Sequence, residues 1–588
     1  MPLQEWIHKL EEGEGTRYIK GVFLILAFAG LAAWFDIRNF KNFNNPEAMD
    51  SAQIARQLAT GHGFSTRFIR PLSIRLLQIK QGDQAKVLDG DHPDMANAPV
   101  FPVLEAALIK ALPMRFRIAD PSEFFRYTPE IFIAILNQLF FLLMLWALYK
   151  LCARLFDKGV AGTTVAVTAL TELFWKHTVS GLPTILLTLI TIGIVWCLTA
   201  METREREQTG NDRFFFLMSA AAGLLLAIGA LTRYSYGWLL LPIVGFAGAF
   251  FGTRRGISIA TITVIFLLAV VPWCVRNYQV SGKPFGIAGY AAYEGTFFFP
   301  HNRLQRSMPK DFDFEINKVS LDQFRRKLVP GLAGTIRDEI PKLGGSWVTA
   351  LFLVGLVVPF RNPGLTRLRW FLLVSFALLM LVQNLGRTHI SELSPEMNSE
   401  SLLIWLVPLV FMFGIALFYT LLDQLPFEFP HYRTAAISGF IFAVSLPLVF
   451  AFLPPRSYPL AWPPYHPPSI QEVSGWMKED ELIMSDIPWA VAWYGDRTCV
   501  WTTLDANNTS GDFFAINDYL KQVRELFLTP LTLDVHFTSE MLRGKETEWS
   551  RFALDSLIRT NVPTGFPLRS SPRGYLPDAL ILTDRKRW

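Results

Sequence analysis

Eleven stretches of predominantly apolar residues, most of them separated by short polar loops, constrain this chain more than any other feature. They fall at roughly 20–35, 128–149, 159–175, 179–200, 214–232, 236–251, 257–275, 346–360, 370–386, 401–422 and 434–454. A helix needs ~20 residues to cross the hydrocarbon core of a bilayer, and inside that core its backbone amides must be satisfied within the helix. The repetition predicts an α-helical polytopic membrane protein with about eleven transmembrane helices. Composition agrees: 18% of residues are charged and 51% hydrophobic, with 49 Phe and 17 Trp, where an average soluble domain is about 25% charged.

The charges between the spans assign sides. Lys150, Arg154 and Lys158, then Arg204, Arg206 and Arg213, then Arg254 and Arg255, then Arg361, Arg367 and Arg369 fall in alternate loops. Positive loops stay cytoplasmic, which predicts a cytoplasmic N-terminus and puts 36–127, 276–345, 387–400 and 455–588 on the outer face. The first apolar run lacks a small-residue cleavage site and leads into Trp34-Phe35-Asp36, so it reads as a retained anchor. The net charge of +5 is modest and is explained by topology, so no nucleic-acid partner is expected. Cys152, Cys197, Cys274 and Cys499 form no CxxC pair, which indicates neither a zinc site nor a disulfide framework.

The chain divides into a membrane domain, 1–454, with outer loops 36–127 and 276–345, and a small extracytoplasmic α/β domain, 455–588. Within the first loop, 98–114 is too short and too charged for a crossing and reads as an interfacial helix. A Pro-rich spacer, 453–468, precedes the C-terminal domain. Strands are expected at 481–486, 497–503 and 578–584, and helices at 512–527 and 539–558. Asn507-Asn508-Thr509-Ser510 matches the short pattern of a glycosylation acceptor.

Chemistry-bearing residues gather on the predicted outer side. Glu47 and Asp50 stand three apart where a helical pattern begins, which Gly61 and Gly63 end. Acids there cap helices routinely, and a carboxylate at the mouth of an apolar cavity can also act as general base. His92, Asp94 and Asn97 form a second polar group in a turn-rich loop. They could orient a substrate, but two ligands are too few for a metal claim. Arg233 and Arg276 close spans, and Lys176 and His177 lie between two more. Cations at span ends snorkel to the interface, or converge to clamp a phosphate at headgroup level. Arg387 and His389 follow a span on the same side, with Glu392, Glu396 and Glu400. No Gly-rich phosphate loop, nucleophile elbow or kinase signature is present, so no nucleotide is implied. No cofactor follows from these residues, and a divalent metal stays open.

Four stretches, in order, resemble the GT-C membrane glycosyltransferases, the superfamily of protein O-mannosyltransferases and the bacterial aminoarabinose–lipid A transferase. They are EAMDSAQIARQLATGHGF (47–64), HPDMANAPVFPVL (92–104), LTRYSYGWLLLP (231–242) and PWCVRNYQVSGKPFG (272–286). The resemblance implies transfer of a sugar from a polyprenyl-phosphate carrier to a lipid, glycan or protein acceptor on the outer face, in a bacterial inner membrane, usually with inversion. It places the acid of the first outer loop at Glu47, with Asp50 second, and assigns the lipid phosphate to cations. The chain departs from the pattern at 398–408, NSESLLIWLVP, which lacks the Arg-Tyr pair many relatives carry, leaving Arg387 or His389 as substitutes. The competing expectation is a transporter or flippase of lipid-linked glycans, which would favour inverted repeats; none is visible.

Overall fold

The computed structural model describes residues 14–40, 42–82, 86–118, 127–308, 316–345, 347–358, 362–394, 397–426, 429–453, 465–504, 506, 513–533, 547–558, 562–563, 565–572, 574–576 and 578–588. Among them, eight helices are long and apolar enough to cross a membrane, beginning with Tyr18–Asn39. The expected spans at 159–175, 236–251 and 346–360 are shorter helices instead, Lys158–Ala169, Leu240–Phe250 and Trp347–Gly355. Outward-facing apolar side chains such as Leu139, Trp146 and Leu268 are more than half exposed, as lipid-facing groups are. The chain is an integral membrane protein.

Helices of seven residues or more are numbered in chain order. The loop expected to be the first outer one carries α2 (Pro46–Thr60), a two-residue strand β1 (Phe68–Ile69), α3 (Pro71–Gln81) and α4 (Val100–Ala111), after α1 (Glu14–Asn39). The membrane helices follow: α5 (Thr128–Leu155), α6 (Lys158–Ala169), α7 (Glu172–Val179), α8 (Thr184–Arg206), α9 (Asp212–Thr232), α10 (Leu240–Phe250) and α11 (Arg255–Ser281). After α12 (Leu321–Gly334) come α13 (Trp347–Gly355), α14 (Pro363–Gly386), α15 (Val407–Leu422) and α16 (Pro430–Ala451).

The centre of the bundle is α8 and the span ending in α15, whose apolar windows are 83% and 94% buried. Helix α8 is rich in threonine, yet leaves few hydroxyls stranded. Thr188, Thr191 and Thr199 donate to the carbonyls of Thr184, Leu187 and Val195, four residues back, at 2.8–2.9 Å. That back-bonding lets a polar side chain sit inside a dry bundle.

A five-stranded sheet, in the order β1-β3-β2-β4-β5, caps one end. It contains β2 (Leu482–Ser485), β3 (Cys499–Trp501), β4 (Val523–Leu528) and β5 (Leu580–Thr583). Strand β1, from the first outer loop, pairs in parallel with β3, Phe68 opposite Cys499. The sheet is therefore shared by the two ends of the chain. On one face Leu482, Met484, Val500 and Leu526 pack with Leu72, Leu76 and Tyr290. On the other, Ile483, Trp501 and Phe527 pack with Ala48, Met49 and Ala52 of α2.

The strands expected at 481–486, 497–503 and 578–584 are present. The stretch 512–527 is not one helix: it breaks into a helix, Phe513–Tyr519, and β4, whose side chains except Arg524 are buried. A fully buried strand shows no alternation, so period alone does not tell it from a buried helix. Of 539–558, Thr547–Ile558 is helical; most of the Pro-rich spacer and the Asn507–Ser510 pattern lie outside the described residues.

Glu130, in the first turn of α5, ties the bundle to the sheet region. Its carboxylate accepts from the Phe43 N–H at 2.8 Å, the Trp493 indole at 2.8 Å and the Tyr494 hydroxyl at 2.7 Å, fully buried. Glu130→Ala would strand three buried donors, each worth ~1–3 kcal/mol. We expect this variant to lose roughly 3–5 kcal/mol, read as a large drop in melting temperature of the detergent-solubilised protein, with Glu130→Gln losing less.

Candidate active site

Helix α2 opens on Pro46, whose fixed φ suits a first turn and which has no N–H to leave unpaired. Asn45 caps it, its side-chain oxygen accepting the Glu47 N–H at 2.9 Å. Capping is thus done by Asn45, and the two acids are not needed for it. Gly61, at φ 91°, ends the helix in the left-handed region, where glycine carries no Cβ penalty. The amide nitrogen of Asn45 donates to the Met397 carbonyl at 2.7 Å, which docks the loop before α15 onto the start of α2.

That docking brings Ser399 to Glu47. The Ser399 N–H donates to Glu47 Oε2 at 3.1 Å, and its hydroxyl donates to the same oxygen. Arg233, just past the end of α9, lies 3.3 Å from Glu47 Oε1 through Nη1 and donates also to Ser399 Oγ. The Glu47 and Arg233 side chains keep 20% and 22% of their surface exposed.

Asp50, one turn on, is 3% exposed and fully engaged. It takes Arg70 Nη2 at 2.7 Å, Asn97 Nδ2 at 3.0 Å and Gln53 Nε2 at 3.1 Å. Arg70 lies over the Phe68 ring at 4.0 Å and gives its Nε to Gln305 at 3.2 Å. Gln305 donates to Glu294 at 2.9 Å, and Glu294 meets His389 Nδ1 at 2.5 Å. The His389 ring packs against Trp501 of β3, centroids 4.8 Å apart. One polar chain thus runs from the first outer loop through the second to the loop before α15 and the sheet. It borders a narrow, open recess lined by Glu47, Asp50, Arg70, Gln305, His389 and Trp501 among others.

Asp94 accepts the N–H groups of Ala96 and Asn97 at 3.1 and 2.8 Å. Burial, then the nearby Asp50 charge, raises its pKa to about 6. Arg276 donates to the Asp94 and Phe64 carbonyls at 2.5 and 3.2 Å and sits beside the Phe64 and Trp273 rings. His92 is buried between the Ser73 hydroxyl, at 2.9 Å, and the Val87 carbonyl, at 3.2 Å. Burial pushes its pKa down to about 4, so it is neutral and braces the loop. Arg387 pairs with Glu339. Glu400 accepts the Thr388 N–H at 3.1 Å; burial, then the charge of Glu47, raises its pKa to about 7.

Glu47, Asp50 and His389 therefore line one recess; Arg233 joins it through Glu47, Asn97 through Asp50, and Asp94 and Arg276 stand behind Asn97. Lys176 and His177 do not join them: Lys176 pairs with Glu172 at 3.1 Å, and His177 is fully buried with neither ring nitrogen hydrogen-bonded among the described residues. Both sit on α7, whose own packing decides their surroundings. Four members escaped the sequence reading: Arg70, Gln305, Glu294 and Ser399. Arg70, in the apolar run FIRPLSI, carried the one usable signal, a charge where burial was expected. No three His, Cys, Asp or Glu side chains among the described residues are grouped to hold a metal ion.

The whole architecture resembles membrane glycosyltransferases of known structure. Against the oligosaccharyltransferase AglB of Archaeoglobus fulgidus, in complex with an inhibitory peptide and a dolichol-phosphate, the TM-score is 0.55 at 9% identity, over 91% of this chain and 73% of that one. Against ArnT from Cupriavidus metallidurans bound to undecaprenyl phosphate, it is 0.53 at 10% identity, over 96% and 98%. At such identities the likeness is one of fold. Residues 126–275 match the family model described as dolichyl-phosphate-mannose-protein mannosyltransferase; the segment contains Arg233 and stops one residue before Arg276. No curated protein matches the chain by sequence. The chain thus shares the fold of these two membrane glycosyltransferases, and one segment of it matches the mannosyltransferase model.

Asp94 and Glu400 have native pKa values above their ordinary ones. Such acids bind protons more tightly folded than unfolded, so their contribution favours the native state at low pH and is lost as pH rises through about 4 to 7. Glu400→Gln removes one of these charges and keeps an acceptor for Thr388. We expect the variant to melt at or above the wild-type temperature at pH 8, the difference vanishing by pH 5, as thermal scans across pH will test.

Proposed function

We propose that the chain transfers a sugar from a polyprenyl-phosphate donor to an acceptor hydroxyl or similar group on the outer face of a membrane, the bacterial inner membrane being the expected one. The N-terminus is then cytoplasmic, and residues 455–588 lie outside with the recess. The carrying observation is the contact of Glu47 with Arg233 at the rim of the recess. The lipid phosphates named in the two solved relatives support the donor class.

Glu47 serves as general base and Asp50 as a positioning residue. Asp50 is closed off by Arg70, Asn97 and Gln53, whereas Glu47 stays accessible. Arg233 holds the donor phosphate, with its Nε still without a partner among the described residues. In the resting state it is shared with Glu47. An arriving phosphate competes for the guanidinium, binding it through the planar fork. Donor binding thereby releases Glu47 to take the acceptor proton. The acceptor oxygen then bonds to the anomeric carbon from the opposite face. The bond from that carbon to the phosphate oxygen breaks, and the polyprenyl phosphate leaves with the electron pair, its charge met by Arg233.

Glu47→Gln should lower transfer by at least ~10²-fold without changing melting temperature, measured as release of polyprenyl phosphate from a labelled polyprenyl-phosphate hexose in envelope extract. Undiminished turnover in that variant removes Glu47 from the reaction. Arg233→Ala should instead weaken binding of polyprenyl phosphate, read by titration of the purified protein.

A further inference from the structure

Ser399 touches both charges of the Glu47–Arg233 pair, and the reaction above gives it no part. A serine hydroxyl has one proton to give and two lone pairs to offer. Here the proton goes to Glu47 Oε2 and a lone pair takes Arg233 Nη1. The bond to Glu47 does not depend on the arginine being there. We propose that Ser399 is the positioning residue of the transfer: its hydroxyl and N–H hold Oε2 of Glu47 while Arg233 turns to the donor, leaving Oε1 as the oxygen that receives the acceptor proton. The proposal rests on Glu47 being the base.

The serine is built for that duty. It is 4% exposed, and its flanks are fixed by groups other than the pair it serves. The Met397 carbonyl is held by Asn45 at 2.7 Å, and Asn398 donates to the Ser394 carbonyl at 3.2 Å. The Glu400 carboxylate is gripped by Thr388, and the Leu402 N–H donates to Gln383 at 2.9 Å. Two donors on one carboxylate oxygen also fix the plane of the other, and orientation of a reacting group within a fraction of an ångström governs rate.

The test compares Ser399→Ala and Ser399→Thr in the purified full-length protein. A hydrogen bond to a charged group corresponds to a ~10–100-fold effect. We expect Ser399→Ala to lose that much in kcat while KM for the labelled polyprenyl-phosphate hexose stays within about threefold of wild type. Removing a donor from the charged form raises the pKa of an acid. The acidic limb of the pH–rate profile should therefore move upward. Carbodiimide labelling of Glu47, followed by peptide mass spectrometry, should show its half-labelling pH rising as well, a readout that needs no turnover. Ser399→Thr, which keeps the hydroxyl, should recover both. An alanine variant with wild-type kcat and an unmoved half-labelling pH overturns the proposal. So does a pair of variants that fall equally with a lowered melting temperature and no pH shift. If Glu47→Gln is dead while Ser399→Ala is unaffected, only this inference fails; if Glu47→Gln is fully active, the reading of the base fails first.

Discussion

A carboxylate at the mouth of an apolar bundle needs its charge balanced, and in this molecule Arg233 supplies the balance to Glu47. Much of the outer architecture serves that meeting. Glu47 is fixed by the capped start of α2, Arg233 by the end of α9, and Ser399 by a loop docked on α2 through Asn45. The three come from the first outer loop, the fifth expected span and the approach to the tenth. An ion pair in water would gain little. Partly withdrawn from it, and with a hydroxyl bridging the two charges, the pair becomes a fixed geometric element.

The sheet explains why the first outer loop can be trusted to stay in place. Its edge strand, Phe68–Ile69, is too short to be stable by itself and gains its register by pairing with Cys499 and Val500. Arg70 follows at once and lies over the Phe68 ring, so the strand that joins the sheet also aims the guanidinium that holds Asp50. Arg306 does the same for the second outer loop, donating to the Thr502 and Thr503 carbonyls just beyond β3 at 2.5 and 2.7 Å. Two loops and the C-terminal region thus share one scaffold, although the spacer before 465 makes the C-terminus read as a separate unit in sequence.

The membrane fold was legible because apolar run length follows directly from the thickness of hydrocarbon, and the helix carrying Glu47 because its glycine stop and apolar spacing are local. The stretches 159–175 and 346–360 have the apolar length of full crossings, yet their helices are shorter, because hydropathy does not report where a helix breaks. Glu47, Asp50, Arg233 and Arg276 could be singled out as charges in costly places. Ser399 could not, since a serine before a span carries no such cost. Nor could the Arg70–Gln305–Glu294–His389 chain, whose members lie up to 319 residues apart and meet only through the tertiary fold. His92 illustrates the converse error: a polar residue in a suggestive loop, it is held by a serine and a carbonyl and kept neutral by burial.

Asp50 meets Arg70, Glu47 meets Arg233 and Glu294 meets His389, while nearby Lys327 is drawn down to about 8 by burial and donates to the Ala291, Ala292, Glu294 and Leu385 carbonyls. An anionic donor entering such a place adds negative charge, which favours the protonated form of every acid nearby. Asp94 and Glu400, with native pKa values of about 6 and about 7, are the groups that respond first near neutral pH.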